Sequence, residues 1–276
     1  MSAIIEAAPA KINLALHVRA RMPDGYHHIE TLFAFAQHGD VVTVAAAEEA
    51  SFTLTGPFAT GLSSDGDNLV TRAAAVFAEA FGIGQPHAIT LDKRLPIASG
   101  IGGGSADAAA TLRALARLHG IAADDPRLLA AAAPLGADLP ACLLGQTSLG
   151  TGRGDVLVPI AGMRGTPLLL VNPRVPVSTG AVFRGWDGID RGPIADGPLL
   201  DRMRASRNDL APSATAIAPV IAEVEGLLAR APGVLLARMS GSGATCFALF
   251  AQAADRDAAA DAAVGRDWWT LATRLA

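Results

Sequence analysis

Cysteine is nearly absent from this sequence: Cys142 and Cys246 are the only two, far apart and each set among apolar residues. Such a pair reads as two reduced, buried thiols and argues against a disulfide framework or a cysteine-built metal site. Charge is sparse as well, at 17% of residues, with a net charge of −4 and no Lys/Arg cluster larger than a pair. The electrostatic footprint of a nucleic-acid-binding protein is therefore missing, and no nucleic-acid partner is expected. Long apolar runs are lacking too. The stretches at 168–171 and 245–251 are of strand length, well short of the ~18 residues that suggest a membrane-spanning helix. The N-terminus has no basic region ahead of an apolar core, so no secretory signal is expected. These absences describe a cytoplasmic protein with a small-molecule partner and no membrane, expected as a monomer or weak homodimer. Many binding modules would fit the same description.

What is present is a chain of 276 residues, 51% of them hydrophobic and rich in alanine, enough for one large domain or two modest ones. Ile12, Leu14, Leu16 and Val18 alternate with Lys11, Asn13, Ala15 and His17, the pattern of a strand with one apolar and one polar face. Met22-Pro-Asp-Gly25 is a turn signal. Strands are predicted at 41–45, 51–55, 88–91, 168–171, 234–237 and 245–250. Helices are predicted at 68–81 with Asn68 as cap, 105–119, 126–133, from 138, 215–230 and 253–264. The 68–81 helix should bury Leu69, Ala73, Val76, Phe77 and Ala80. The pattern resets at 159–167, where the domain boundary is placed, and no internal repeat is visible. Mixed strands, helices and hairpins indicate an α+β fold.

The most informative stretch is Pro96-Ile-Ala-Ser-Gly-Ile-Gly-Gly-Gly-Ser-Ala106. Clustered glycines are costly in chain entropy, which points to close backbone approach. A helix opening directly afterwards aims its N–H groups and positive dipole end at the loop, the arrangement of a phosphate site. The plainer alternative is a tight turn packing a helix on a sheet. No Lys-Ser/Thr pair follows for a P-loop, and Ser105 stands where a dinucleotide fingerprint wants glycine. Protein-kinase landmarks are absent.

These residues resemble the ATP loop of the GHMP kinases, the superfamily of galactokinase, homoserine kinase, mevalonate kinase and phosphomevalonate kinase. Pro9-Ala-Lys-Ile-Asn-Leu14 resembles its first motif and Met239-Ser-Gly-Ser-Gly-Ala-Thr245 its third. The resemblance implies a two-domain fold. A ribosomal-protein-S5-like ATP-binding domain would span 1–162 and a ferredoxin-like domain 163–276. It also implies ATP as phosphoryl donor, with Mg2+ accompanying it. Further segments are similar to one branch of the superfamily: Asp24-Gly-Tyr-His-His-Ile-Glu-Thr-Leu-Phe33, Gly66-Asp-Asn-Leu69, Gly136-Ala-Asp-Leu-Pro140 and Arg207-Asn-Asp-Leu210. That branch phosphorylates the 2-hydroxyl of a cytidyl-linked sugar alcohol in the non-mevalonate route to isoprenoid precursors. Two departures stand out. Ala106 and Asp107 occupy positions where serine and asparagine are expected, and the segment after Asp187 matches nothing in the pattern.

Phosphoryl transfer to an alcohol needs in-line positioning, charge neutralisation and usually a carboxylate to take the hydroxyl proton. The resemblance assigns that carboxylate to Asp138, which otherwise reads as a helix N-cap. It assigns the cation beside it to Lys11, which otherwise reads as a solvated side chain. A neighbouring cation keeps a carboxylate ionised and favours an alkoxide-like transition state. Pro96, Ile97, Ala98, Ser99, Gly100, Ile101, Gly102, Gly103, Gly104, Ser105 and Ala106 are the expected ATP-binding residues. Ser105 reads equally as a helix cap. Asn13, Tyr26, His27, Phe33, Thr179 and Phe183 are expected to line the acceptor site, and no residue is assigned to a metal. Trp268 and Trp269 read as core or interface packing. Rival readings are a homoserine- or mevalonate-type kinase and an inactive GHMP-like sensor. Tyr26 and His27 speak against the first, and the presence of Lys11 and Asp138 against the second.

Overall fold

A computed structural model describes residues 3–62 and 68–276, so Gly66 and Asp67 of one motif lie outside the described residues. The chain forms two compact units. One comprises the chain up to Ala10, His38–Ile97 and Gly102–Gly145; the other comprises Lys11–Gln37, Ala98–Ile101 and Gln146–Ala276.

In the first unit lie the opening of β1 (Ile4–Arg21) and the end of β2 (His27–Ala46), followed by β3 (Ser51–Thr55), α1 (Leu69–Phe81), β4 (His87–Asp92), α2 (Gly103–Leu118), α3 (Pro126–Ala132) and α4 (Leu139–Leu144). β4 runs antiparallel to β2, pairing Val42 with Leu91 and Val44 with Ile89, and β3 lies parallel to β4. Asn68 caps α1 by accepting from the Val70 N–H at 2.9 Å. Its buried stripe is Val70, Ala73 and Phe77, whereas Leu69, Val76 and Ala80 are half-buried, so the predicted face is rotated by about one residue. α2 is buried over 106–112 and 114–116, mostly by small alanines, which lets α1 and α4 pack closely on it.

The second unit takes the remainder of β1 and β2, then β5 (Ser148–Thr151), β6 (Val156–Pro159), β7 (Pro167–Asn172), α5 (Thr179–Arg184), α6 (Leu199–Ala205), α7 (Ala211–Ile217), α8 (Val220–Ala229), β8 (Val234–Met239), β9 (Cys246–Phe250), α9 (Ala253–Ala263) and β10 (Trp269–Arg274). Its antiparallel sheet has the order β10-β7-β9-β8. Leu169, Val171, Ala248 and Phe250 from the sheet form its core with Ile221, Val224 and Leu228 of α8. No helix among the described residues is long and apolar enough to cross a membrane.

Three expectations change. The single helix at 215–230 is two, because Pro219 offers no N–H and α8 restarts behind it at Val220. The strand at 41–45 is the end of β2, which runs 20 residues from His27. The predicted polar face of β1 is interior: Lys11 is 3% exposed, Asn13 2% and His17 1%. A solvated Lys11 is thereby overturned.

Candidate active site

Within the second unit, three backbone carbonyls of the glycine loop are held in a row. The Thr245 N–H donates to Ser99 O at 3.1 Å and the Lys11 N–H to Ile101 O at 3.0 Å, while Ser240 Oγ donates to Gly100 O at 3.0 Å. Gly100 has φ +75, and a Cβ there would lie 2.6 Å from Ser240 O and 2.7 Å from Gly243 O. Only glycine fits that approach. In the first unit Gly102, at φ +65, is the N-cap of α2, and no side chain caps this helix. Its opening N–H groups and dipole end are thus left for an anion. Ser105 lies inside the first turn, so the cap reading of Ser105 fails.

Lys11 and Asn13 share a face of β1. Lys11 Nζ donates to Asn13 Oδ1 at 2.9 Å, and Asn13 Nδ2 donates to Thr31 Oγ1 at 2.8 Å. The Thr31 hydroxyl in turn donates to Ala15 O at 2.7 Å. This chain fixes the orientation of the Asn13 amide, with the ammonium on its oxygen side. The Lys11 ammonium also lies 5.4 Å from the centre of the Phe33 ring, so the structure brings Lys11, Asn13 and Phe33 together.

The third glycine-rich motif is clamped by a segment that the sequence flagged only as a motif. Asn208 Nδ2 donates to Met239 O and Gly241 O, each at 2.8 Å. Ser240, between them, accepts from the Asn13 N–H at 3.1 Å while donating to Gly100 O. Asp209 next door accepts from the Val18 N–H at 2.9 Å and pairs with Arg207 at 2.6 Å. One buried hydroxyl therefore ties the strand of Lys11 and Asn13 to the glycine loop. Thr179, expected at the acceptor site, shares a 3.0 Å hydrogen bond with Ser242 of the same motif.

His27 is buried against two rings, with Phe183 centred 5.0 Å away and tilted, and Trp186 edge-on at 5.8 Å. Its Nε2 is buried without a hydrogen-bond partner among the described residues. Burial, and secondarily the Arg21 charge, lower its pKa and keep the ring neutral, with one nitrogen a donor and the other an acceptor. His27 and Phe183, both expected at the acceptor site, are thus in ring contact. Tyr26 is 53% exposed and gives its ring to the Arg153 guanidinium at 4.1 Å.

Asp138 belongs to the first unit, at the N-cap position of α4, yet its side chain makes no cap hydrogen bond. Capping therefore does not explain it. Thr31, Trp186, Asn208 and Ser240 were not singled out as site residues from sequence. For Asn208 and Ser240 the signal was at hand in the Arg207-Asn-Asp-Leu210 and Met239–Thr245 motifs, but the contacts span more than thirty and two hundred residues of chain. Among the described residues no group of three or more His, Cys, Asp or Glu forms a metal cluster.

The profile of the GHMP kinases N terminal domain matches residues 68–146, and that of the GHMP kinases C terminal domain matches residues 196–267. The chain is 59% identical to the 4-diphosphocytidyl-2-C-methyl-D-erythritol kinase of Rhizorhabdus wittichii, covering 98% of this chain and 94% of that one. It is 51% identical to the enzyme of the same name from Sphingopyxis alaskensis, with 98% of each covered. A crystal structure of a 4-(cytidine 5'-diphospho)-2C-methyl-D-erythritol kinase superposes with a TM-score of 0.81 at 35% identity, covering 98% of each chain. Fold, motif order and full-length identity agree: the chain belongs to the GHMP kinases, in the family of the 4-diphosphocytidyl-2-C-methyl-D-erythritol kinases.

Proposed function

We propose that this chain transfers the γ-phosphoryl group of ATP to the 2-hydroxyl of 4-diphosphocytidyl-2-C-methyl-D-erythritol. The reaction would take place in the cytoplasm, on the methylerythritol phosphate route to terpenoid precursors. In this reading the loop from Pro96 to Ala106 and the open end of α2 bind the ATP phosphates. Mg2+ would accompany ATP and neutralise phosphate charge, with no side chain of this chain assigned to it. Asp138 takes the proton of the 2-hydroxyl as its oxygen bonds to the γ-phosphorus and ADP departs. Lys11 stabilises the charge at that oxygen, and Asn13, held by Thr31, orients the acceptor.

The observation that carries the acceptor assignment is the orphaned, buried Nε2 of His27 beside the Phe183 ring. A flat ring face next to a nitrogen lacking a partner suits a pyrimidine, whose edge would supply the missing hydrogen bond. A site with buried polar groups rejects ligands that leave them unpaired by more than shape alone allows. The test is a side-by-side assay of the cytidyl compound, its methylerythritol phosphate fragment, homoserine and mevalonate, following ADP release. The cytidyl compound is expected to be fastest. Faster turnover of homoserine or mevalonate would leave only the superfamily assignment standing.

A further inference from the structure

A buried ion cluster in the first unit is not used by the scheme above. Lys93, just past β4, has its Nζ 2.5 Å from Asp40 Oδ2 and 2.7 Å from Asp107 Oδ2. The three residues are 2%, 1% and 2% exposed, respectively. Asp40 Oδ1 also accepts the backbone N–H groups of Arg94 at 2.5 Å and Leu95 at 2.7 Å, which lead into the glycine loop. Asp107 lies in α2, just after the loop, and its other oxygen is buried without a partner among the described residues. A Cβ on Gly103 would sit 3.0 Å from Lys93 Nζ, so the ammonium abuts the first residue of α2. Lys11 and Lys93 are the only lysines among the 22 basic residues; the rest are arginine. A compact ammonium with three donors fits between two carboxylates where a planar guanidinium does not.

We propose that Lys93 is a positioning residue for the ATP phosphates: by bridging Asp40 to Asp107 it locks the chain entering the glycine loop to the helix leaving it. This rests on the reading of that loop as the nucleotide site. Among the described residues, Lys93, just past β4, and Asp40 from β2 are the charged groups facing Asp107. Two carboxylates around one ammonium leave a surplus negative charge in the interior. Asp40 has backbone donors to support its charge and Asp107 has none. Burial pushes Asp107 up to about 8, opposed by the pull of Lys93 and reinforced by the Asp40 charge. The direction of this shift favours the neutral acid, whose shape is that of the asparagine expected at this position. As the pH rises through that value, a net negative charge develops beneath the opening of α2, where it repels phosphate.

The test is calorimetric titration of ATP into wild type, Lys93→Met and Asp107→Asn at neutral pH and one unit above the Asp107 value, with acceptor KM alongside. Wild type is expected to bind ATP and to lose affinity about fivefold at the higher pH. Lys93→Met should weaken ATP by at least about tenfold, since Asp40 loses its buried counter-ion and its bridge to Asp107, while acceptor KM stays within about twofold. Asp107→Asn should keep the neutral-pH affinity and lose the pH dependence. A folded Lys93→Met with wild-type ATP affinity overturns the proposal. If that variant does not fold, an Asp107→Asn protein that retains the high-pH loss overturns it instead. Failure of wild type to bind ATP would sink the nucleotide reading of the loop, a different outcome.

Discussion

Removing the Ser240 hydroxyl isolates the coupling between the glycine loop and the strand of Lys11. Ser240 Oγ accepts from the Asn13 N–H at 3.1 Å and donates to Gly100 O at 3.0 Å, and the residue is fully buried. Ser240→Ala leaves both backbone groups facing a methyl group. Stranding a buried polar group costs about 1–3 kcal/mol, so the pair should cost roughly 2–4 kcal/mol once relaxation is allowed. At the usual conversion for chains of this size, the Tm should fall by roughly 5–12 °C. The kinetic signature is more telling than the melt. Under the proposed function Gly100 serves the ATP loop and Asn13 the acceptor side, so both KM values should rise, by about three- to tenfold each if ~1 kcal/mol of the loss appears in binding. Differential scanning calorimetry and two-substrate steady-state kinetics read the two effects. An unchanged Tm with both KM values intact would show that the hydroxyl holds neither partner. A rise in one KM alone would show that the two motifs are not coupled through it.

Asp138→Asn is expected to lower kcat by at least about 10²-fold while ATP still binds, the scale of a lost general base; near-normal turnover in a folded variant would remove Asp138 from that role. Gly102→Val should abolish ATP binding in calorimetry with little change at the acceptor site, because φ +65 is closed to a branched residue. Gly103, which is helical, makes a less specific test: its new Cβ would press on the Lys93 ammonium at 3.0 Å and so disturb the buried ion cluster as well as the loop. Tyr26→Ala should raise acceptor KM by roughly ten- to a hundredfold if the ring leaves Arg153 to stack on the base, since such stacking contributes ~1–3 kcal/mol; an unchanged KM would confine Tyr26 to its cation contact.

Local signals in the sequence carried much of this. The Asn68 cap, the apolar run of β7 and the glycine loop before α2 each depend on residues within a few positions of one another, so pattern and propensity suffice. β10 was invisible because its pairing with β7 joins Trp269 to Asn172, a register no local pattern encodes. The break in 215–230 was legible in Pro219, but the apolar periodicity on both sides masked it. The burial of Lys11 was hidden for another reason. Alternation marks two faces of a strand, and a polar face inside the protein looks the same as one in solvent until the Asn13 and Thr31 partners are known. Lys93 drew no attention because its meaning lies in Asp40 and Asp107, 53 and 14 residues away.

Both lysines are buried, and each unit contains one of them: Lys11 lies in the second and Lys93 in the first. A reagent for primary amines therefore meets no lysine on the folded surface, and acylation of either side chain must wait for its surroundings to open. Peptide mapping of the acylated lysines would then time the opening of the two units separately, within one chain and without an added probe.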